Sequence, residues 1–291
     1  MLQQYRAVDD ALRGELDQLL ERCAAADGYS PVIYTDASVN LHPEMDCAFA
    51  IREGGTLAGF LFVFAPSAEE AEFTAIVHPA HRRRGLFTRL YAAALAECRT
   101  YGYTQGLFCV DGRALHAQAV ADRLGMPLSH IEYQMELVLP EGPAPAAEGF
   151  ALRKLTEQDI AAILPARAAC FSKEPAAEEA YLRNGLESTD RTNWLMTDQS
   201  GAVVGYLGEY RDEKGLNLYG IGVPQDHRRK GYGKRLLDLA AGLAKADGIQ
   251  RLLLDVNSAN EPALRLYRGY GFAACSETRY YEMVIQRAKQ S

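Results

Sequence analysis

The chain repeats itself. A shift of 146 residues lays Val77–Leu90 (VHPAHRRRGLFTRL) over Val223–Leu236 (VPQDHRRKGYGKRL) without a gap, with seven of the fourteen positions identical. The same shift sets Gly59 on Gly205, Gly125 on Gly271 and Glu136 on Glu282, so one register holds from Gly55 to Val138. Two long copies mean two folding units of one design, not a solenoid of short repeats. A length of 291 residues suits two such units. Between them lies Pro140–Gly149, with three prolines and two glycines in ten residues, a composition that favours an extended spacer. The expected organisation is a domain over 1–139, a linker over 140–149 and a second domain over 150–291.

Composition narrows the function classes. Hydrophobic residues at 48% and charged residues at 24% provide a sizeable core and exclude disorder throughout. Against 31 Lys and Arg stand 38 Asp and Glu, a net charge of −7, which argues against generic nucleic-acid binding. Any anion site must then be a local basic patch. No apolar run reaches about 18 residues, so no membrane span is expected. The opening MLQQYRAVDD lacks a basic region followed by an apolar stretch, and a cytoplasmic protein is the expectation. Six scattered cysteines without a C-x-x-C pair read as reduced, mostly buried thiols. The six histidines, at 42, 78, 81, 116, 130 and 227, form no metal-ligand pattern, and no metal is expected.

The second half serves as the template for both. Thr192–Thr197 and Ala202–Tyr210 read as strands around the turn Asp198–Gly201, with Leu216–Val223 as a third. A helix begins near Gly231, with Leu236, Leu237, Ala240, Ala241 and Ala244 on one face. Leu252–Val256 is apolar except for Asp255, which suits a strand covered on both faces for most of its length. A second helix starts near Asn260-Glu-Pro262, where asparagine can cap and proline fits the first turn. Two short strands, ending in Tyr280–Ile285, are expected to close the half. The fold class is mixed α/β.

Chemistry concentrates between the third strand and the first of these helices, at Arg228-Arg229-Lys230-Gly231-Tyr232-Gly233-Lys234. Glycines let the backbone curl so that successive N–H groups point into one concavity. The helix that follows adds its unpaired N–H groups and the positive end of its dipole. These are the ingredients of a pyrophosphate cradle, although G-x-x-x-x-G-K-[ST] is absent. Alone, the segment reads more readily as a solvated basic surface turn. It is not alone: about thirty residues on comes Asn260-x-x-Ala263-x-x-Leu266-Tyr267-x-x-x-Gly271-Phe272.

With both motifs in order, the chain resembles the GNAT superfamily of acyl-CoA N-acetyltransferases, once per half, in a tandem layout similar to that of mycothiol-synthase-like members. The resemblance implies two tandem acyl-CoA N-acyltransferase domains, each a mixed, mostly antiparallel sheet flanked by helices. It implies acetyl-CoA as cosubstrate and direct transfer to a primary amine of a small molecule or peptide. Backbone at Ile221, Gly222 and Val223 would pair with pantetheine, Arg228–Lys234 would hold the pyrophosphate and Asn260 would meet the pantetheine arm. Tyr267 matches the family tyrosine that protonates the departing CoA thiolate, and a phenol of pKa about 10 can serve as that acid. For the general base, Glu209 at a strand end is the first candidate and His227 the second. An ordinary strand-edge charge is the stronger reading of Glu209, and the twin of His227 at His81 favours a structural role in the turn.

The first half departs from the pattern. It keeps Arg82-Arg-Arg-Gly85 but has Phe87 at the position of Gly233, Ala114 at that of Asn260 and Ala121 at that of Tyr267. Catalysis by the same chemistry is therefore expected only in the second half, with Phe87 crowding the backbone approach to phosphate in the first. The acceptor is expected near Cys170–Trp194, which includes Phe171, Tyr181 and Arg183. Two rival readings are a non-catalytic acyl-CoA-binding sensor or scaffold, which would need no Tyr267, and a nucleic-acid module built on the arginine runs. The acidic balance, with no aromatics interleaved in those runs, disfavours the second. Partners at a membrane are not expected, and oligomeric state is open.

Overall fold

The structure, a computed structural model, describes residues 1–38, 40–68 and 70–285. In chain order its elements are β1 (Leu2–Tyr5), α1 (Asp10–Asp27), β2 (Ala48–Glu53), β3 (Thr56–Phe64), β4 (Glu70–Val77), α2 (Leu86–Thr100), β5 (Gln105–Asp111), α3 (Leu115–Arg123) and β6 (Leu128–Val138). There follow β7 (Phe150–Lys154), α4 (Glu157–Phe171), α5 (Pro175–Glu187), β8 (Arg191–Asp198), β9 (Val203–Asp212), β10 (Gly215–Gly222), α6 (Tyr232–Ala246), β11 (Arg251–Asn257), α7 (Glu261–Tyr270) and β12 (Ala273–Val284). A 3₁₀ turn precedes α2 and another precedes α6.

These elements sort into two compact units, Met1–Ile131 together with Glu277–Ile285, and Glu132–Ser276. The strand order is β1-β2-β3-β4-β5-β12 in the first and β6-β11-β10-β9-β8-β7 in the second. Within each unit one neighbouring pair is parallel, β4–β5 and β10–β11 respectively, and the other pairings are antiparallel. Each half is thus a mixed, mostly antiparallel sheet flanked by helices.

The units do not part at the proline-rich segment. Each is closed by a strand from the other repeat: β12 pairs with β5 from Thr278↔Asp111 to Val284↔Gln105, and β6 pairs with β11 from Val138↔Arg251 to Glu132↔Asn257. One strand of 12 residues, β12, stands where two short ones were expected. Pro140–Gly149 forms neither helix nor strand, as its prolines require, yet it is fastened along α6. Lys245 Nζ donates to the carbonyls of Pro140 and Gly142 at 2.7 Å, and Arg235 donates to that of Ala146 at 3.1 Å.

Alternation along β9 sorts the second unit into two cores. Tyr206 packs with Ile160 and Ile163 of α4 and Leu182 of α5, whereas Leu207 packs with Leu236, Leu237 and Ala240 of α6 and with Tyr267 of α7. The apolar stripe of α6 is the one the i, i+3, i+4 spacing predicts, and burying each leucine contributes about 1.5–3 kcal/mol. In the first unit α1 and α2 bury Leu12, Leu16 and Leu19, and Leu86 and Leu90.

Each parallel pair is short. β10 and β11 are paired from Leu216↔Leu252 to Leu218↔Leu254, while β10 runs on to Gly222 with an irregularity on its β9 side between Tyr219 and Gly222. In the first unit the last rung is Phe73↔Phe108, and β4 continues to Val77. Beyond the last rung the strands separate. That gap positions everything that follows.

Candidate active site

The loop from Arg228 to Gly231 has an alternating backbone. Arg228 is extended, Arg229 is left-handed at φ 61° and Gly231 is left-handed at φ 80°. A left-handed Arg229 is strained for a side-chain-bearing residue, and such strain collects at ligand clamps. No side chain caps the N-terminus of α6, and its first turn carries no acidic residue. The turn is therefore open to an anion, with exposed Arg229 and Lys230 beside it.

The other cations of the loop are engaged. Arg228 Nε donates to the Val223 carbonyl at 3.0 Å, which ties the loop to the strand end. Lys234 donates to Asp238, a residue of α6 that is 1% exposed and also accepts from the Tyr270 hydroxyl at 3.1 Å. Gly233 lies inside α6, and a Cβ there would meet Leu266 at 2.8 Å. Its small size lets α7 lie close to α6, a packing reason beyond the approach of phosphate that its sequence position suggested.

α7 carries the remaining motif residues. Asn260 caps it, with Oδ1 accepting from the Ala263 amide at 3.2 Å. Tyr267 is 7% exposed, in the core that holds the last rung, Leu218 and Leu254. Burial pushes its phenol up to about 12, so the proton stays on oxygen at neutral pH until a strong base forms nearby. The polar edge of β10 from Tyr219 through Ile221 to Gly222 has no β11 partner, which leaves backbone groups free to pair with an extended ligand arm.

Glu209 and His227 do not join this group. Glu209 pairs across the ladder with Leu218, a full strand away from the gap, on the α6 side with Leu207. It is 4% exposed and ion-paired with Arg211 at 3.6 Å. His227 stacks on Tyr232, with centroids 5.9 Å apart. Within the expected acceptor segment, Phe171 and Cys170 cover Gly222, where a Cβ would meet them at 2.7 and 2.9 Å. Arg183 pairs with Glu157 and Glu179, and Trp194 packs toward the α6 core.

Reading by motif passed over a row on the opposite, α4/α5 side. The ladder sets Asn193 and Tyr219 on either side of Gly208, with Arg191 and Asn217 flanking Tyr210 in the next row. Both atoms of the Asn193 amide, Nδ2 of Asn217 and the Tyr219 hydroxyl are buried without a hydrogen-bond partner. Alternation along the strands was the signal that could have found them.

The first unit keeps the loop backbone, with Arg83 at φ 62° and Gly85 at φ 77°. Arg82 donates to the Val77 carbonyl at 3.1 Å, as Arg228 does to Val223, but it is also clasped by Asp27 through bonds of 2.7 and 2.6 Å. Beside the loop opens a cavity of about 810 Å³ lined by Phe87, Tyr91, Phe108, Ala117 and Val120 among others. The Phe87 ring stacks on Tyr91 at 5.5 Å and helps form the cavity wall together with Arg83 and Gly85 of the loop. Ala121 is buried where the other unit has its tyrosine.

Among the described residues no cluster of metal-ligating side chains occurs, and no helix is long and apolar enough to cross a membrane. The model of the Acetyltransferase (GNAT) family matches residues 14–126 and again 160–272. A mycothiol acetyltransferase of Actinosynnema mirum is 29% identical over 291 aligned positions, covering 92% of this chain and 95% of its own. A GCN5-related N-acetyltransferase from Sphaerobacter thermophilus shares the fold with a TM-score of 0.79 at 18% identity, covering 98% of this chain and 96% of its own. A tandem GNAT protein from the clavulanic acid biosynthesis pathway does so at 0.70 and 18%, covering 99% of each chain.

Proposed function

The chain belongs to the GNAT acetyltransferase family and is an acyl-CoA-dependent N-acetyltransferase, and on that premise we propose that its second half transfers the acetyl group of acetyl-CoA directly to a primary amine of a small molecule. One observation carries the choice of half. Tyr267 is buried beside the last rung of the strand gap, and its counterpart Ala121 has no proton to give.

The residues present fit the cosubstrate. The uncapped start of α6, with Arg229, Lys230 and the backbone of Gly231, Tyr232 and Gly233, would hold the pyrophosphate. The free edge of β10 at Ile221 and Gly222, together with the backbone N–H of Val223, whose carbonyl already accepts from Arg228, would pair with the amides of the pantetheine, with the Asn260 amide group beside it. Acetyl-CoA supplies a thioester whose C–S bond breaks as a C–N bond to the acceptor forms. Tyr267 gives its proton to the sulfur as charge develops there, which its raised pKa delays until that moment. Arg228 and Lys234 shape the cradle through Val223 and Asp238. The likeness over most of the chain to relatives named mycothiol acetyltransferases supports a small-molecule acceptor. The first half is read as catalytically degenerate.

Calorimetric titration with acetyl-CoA, followed by CoA-thiol release in the presence of amino sugars, amino-acid amides and polyamines, tests this reading. Binding with transfer supports it. Binding without transfer to any amine makes the chain an acyl-CoA sensor, and no binding overturns both readings.

A further inference from the structure

Resting on the reading just given, we infer that Asp255 is the catalytic base, the carboxylate that receives the acceptor ammonium at the mouth of the β10–β11 gap and takes its proton. Three observations place it there. The last rung of the parallel pair is Leu218↔Leu254, so Asp255 is the first β11 residue beyond it, and Tyr219 is the first on β10. The two flank the apex at which the strands separate.

Ladder register fixes the side of the sheet. Asn217 pairs with Leu253 and Asp255 with Gln134, so Asp255 stands on the face of Asn217 and Tyr219, opposite Tyr267. A side-chain hydrogen bond from Gln134 and an electrostatic interaction with Tyr210 agree with that placement. Acid and base thus approach one gap from opposite faces, an arrangement that lets one reach the nitrogen and the other the sulfur within a single ternary complex.

Unpartnered polar groups line the same face. Nδ2 of Asn217, both amide atoms of Asn193 and the Tyr219 hydroxyl are buried with no protein partner, and Asn193 and Asn217 are each 7% exposed. Buried polar groups in folded proteins are paired with protein or with something that is not protein. A polar acceptor bearing its own hydroxyl or amide groups would satisfy them.

The charged surroundings suit a base. Glu132 on β6 raises the affinity of Asp255 for a proton, Lys214 in the β9–β10 turn opposes it, and Arg191 lies over the Tyr210 ring at 5.8 Å. Asp255 is a solvent-exposed residue of β11, and partial desolvation of its carboxyl, aided by the charge of Glu132, pushes that carboxyl up to about 6. Such a carboxylate is ionised at neutral pH and a stronger base than an ordinary one. Glu209, by contrast, is committed to Arg211 one strand away.

The protons balance. One proton of the acceptor ammonium passes to Asp255, and the freed lone pair attacks the carbonyl carbon. The C–N bond forms, the C–S bond breaks with its electron pair leaving on sulfur, and Tyr267 protonates that sulfur. The second nitrogen proton leaves through solvent and restores Tyr267, and Asp255 releases its own to bulk water.

The experiment has two arms. Carbon-13 aspartate-labelled protein is titrated with pH, with and without acetyl-CoA, beside Asp255→Asn. One carboxyl signal with a midpoint near pH 6, missing in the variant and displaced by acetyl-CoA, is expected. A signal at the ordinary aspartate position that ignores acetyl-CoA overturns the inference. In the second arm, CoA-thiol release is measured with glycinamide, protonated at neutral pH, and with methoxyamine, which is not. Asp255→Asn is expected to lower kcat/KM for glycinamide about 100-fold or more and to abolish the acid limb, with Asp255→Glu restoring part of the rate. Transfer to methoxyamine should change far less. A variant that binds acetyl-CoA and acetylates glycinamide with the wild-type rate and pH profile defeats the base alone. Wild-type protein that binds no acetyl-CoA defeats the function on which it rests.

Discussion

The two phosphate-type loops of this molecule have the same backbone and different company. Arg83 and Arg229 share a left-handed φ within 1°, and Gly85 and Gly231 within 3°. Around that common frame, α7 packs on α6 over Gly233 and delivers Tyr267, whereas α3 leaves a cavity of about 810 Å³ walled by Phe87. A loop shaped by backbone dihedrals and one arginine-to-carbonyl tether persists in the half that lacks counterparts of Asn260 and Tyr267. The loop backbone is common to both halves, and what differs is the helix packed beside it.

The sharpest break of this comparison is Tyr267→Phe. It should lower turnover by about 100-fold or more, with acetyl-CoA affinity by calorimetry nearly unchanged. Equal losses in rate and affinity would show that Tyr267 binds and does not donate. Gly233→Phe imposes the first loop's residue on the second. Its Cβ would meet the Leu266 side chain at 2.8 Å, so Leu266 must repack around the added ring, at about 1–3 kcal/mol of stability and with a loss of activity. An unaltered melting temperature and rate would mean that α6 and α7 tolerate the added ring.

A smaller effect is expected in the first unit. The Arg82 guanidinium holds the Asp27 carboxyl below its usual range, so this pair adds stability above the unfolded carboxylate's pKa of about 4, lost as pH falls through the lower folded value. Asp27→Asn should cost about 1–3 kcal/mol at pH 7 and progressively less in acid, read from denaturation at several pH values. The smallest effect has the opposite sign. Asp255 has its proton affinity raised by folding, so its charged form opposes folding above pH 6 and ceases to do so as pH falls toward 4. Asp255→Asn should therefore gain a few tenths to about 1 kcal/mol at pH 7, reduced by its exposed edge, and nothing near pH 4. A variant less stable at pH 7 would give Asp255 a structural role.

Local features were legible in the chain. The loop, the Asn260 cap and the buried stripe of α6 depend on neighbours within a few residues, and sequence spacing specifies them. What depends on register and face was not. Glu209 reads as a strand-end acid until the ladder shows it behind Leu218, on the far side of β10 from the gap. Asp255 reads as one polar break in an apolar strand until Leu218↔Leu254 proves to be the last rung. The exchange of β6 and β12 was invisible because both repeats end in a strand, and spacing along the chain does not say which sheet edge each strand joins.

That exchange has a consequence for synthesis on the ribosome. The second unit can recruit β6, already made, as soon as β11 emerges. The first unit cannot complete its sheet until Thr278–Val284 has been translated, more than 160 residues after Asp111. At about 5–20 residues per second, β5 waits on the order of 10–30 s with an unpaired edge. For that interval the nascent first unit is a template for stray strands, and a chaperone that shields sheet edges would have its longest task there.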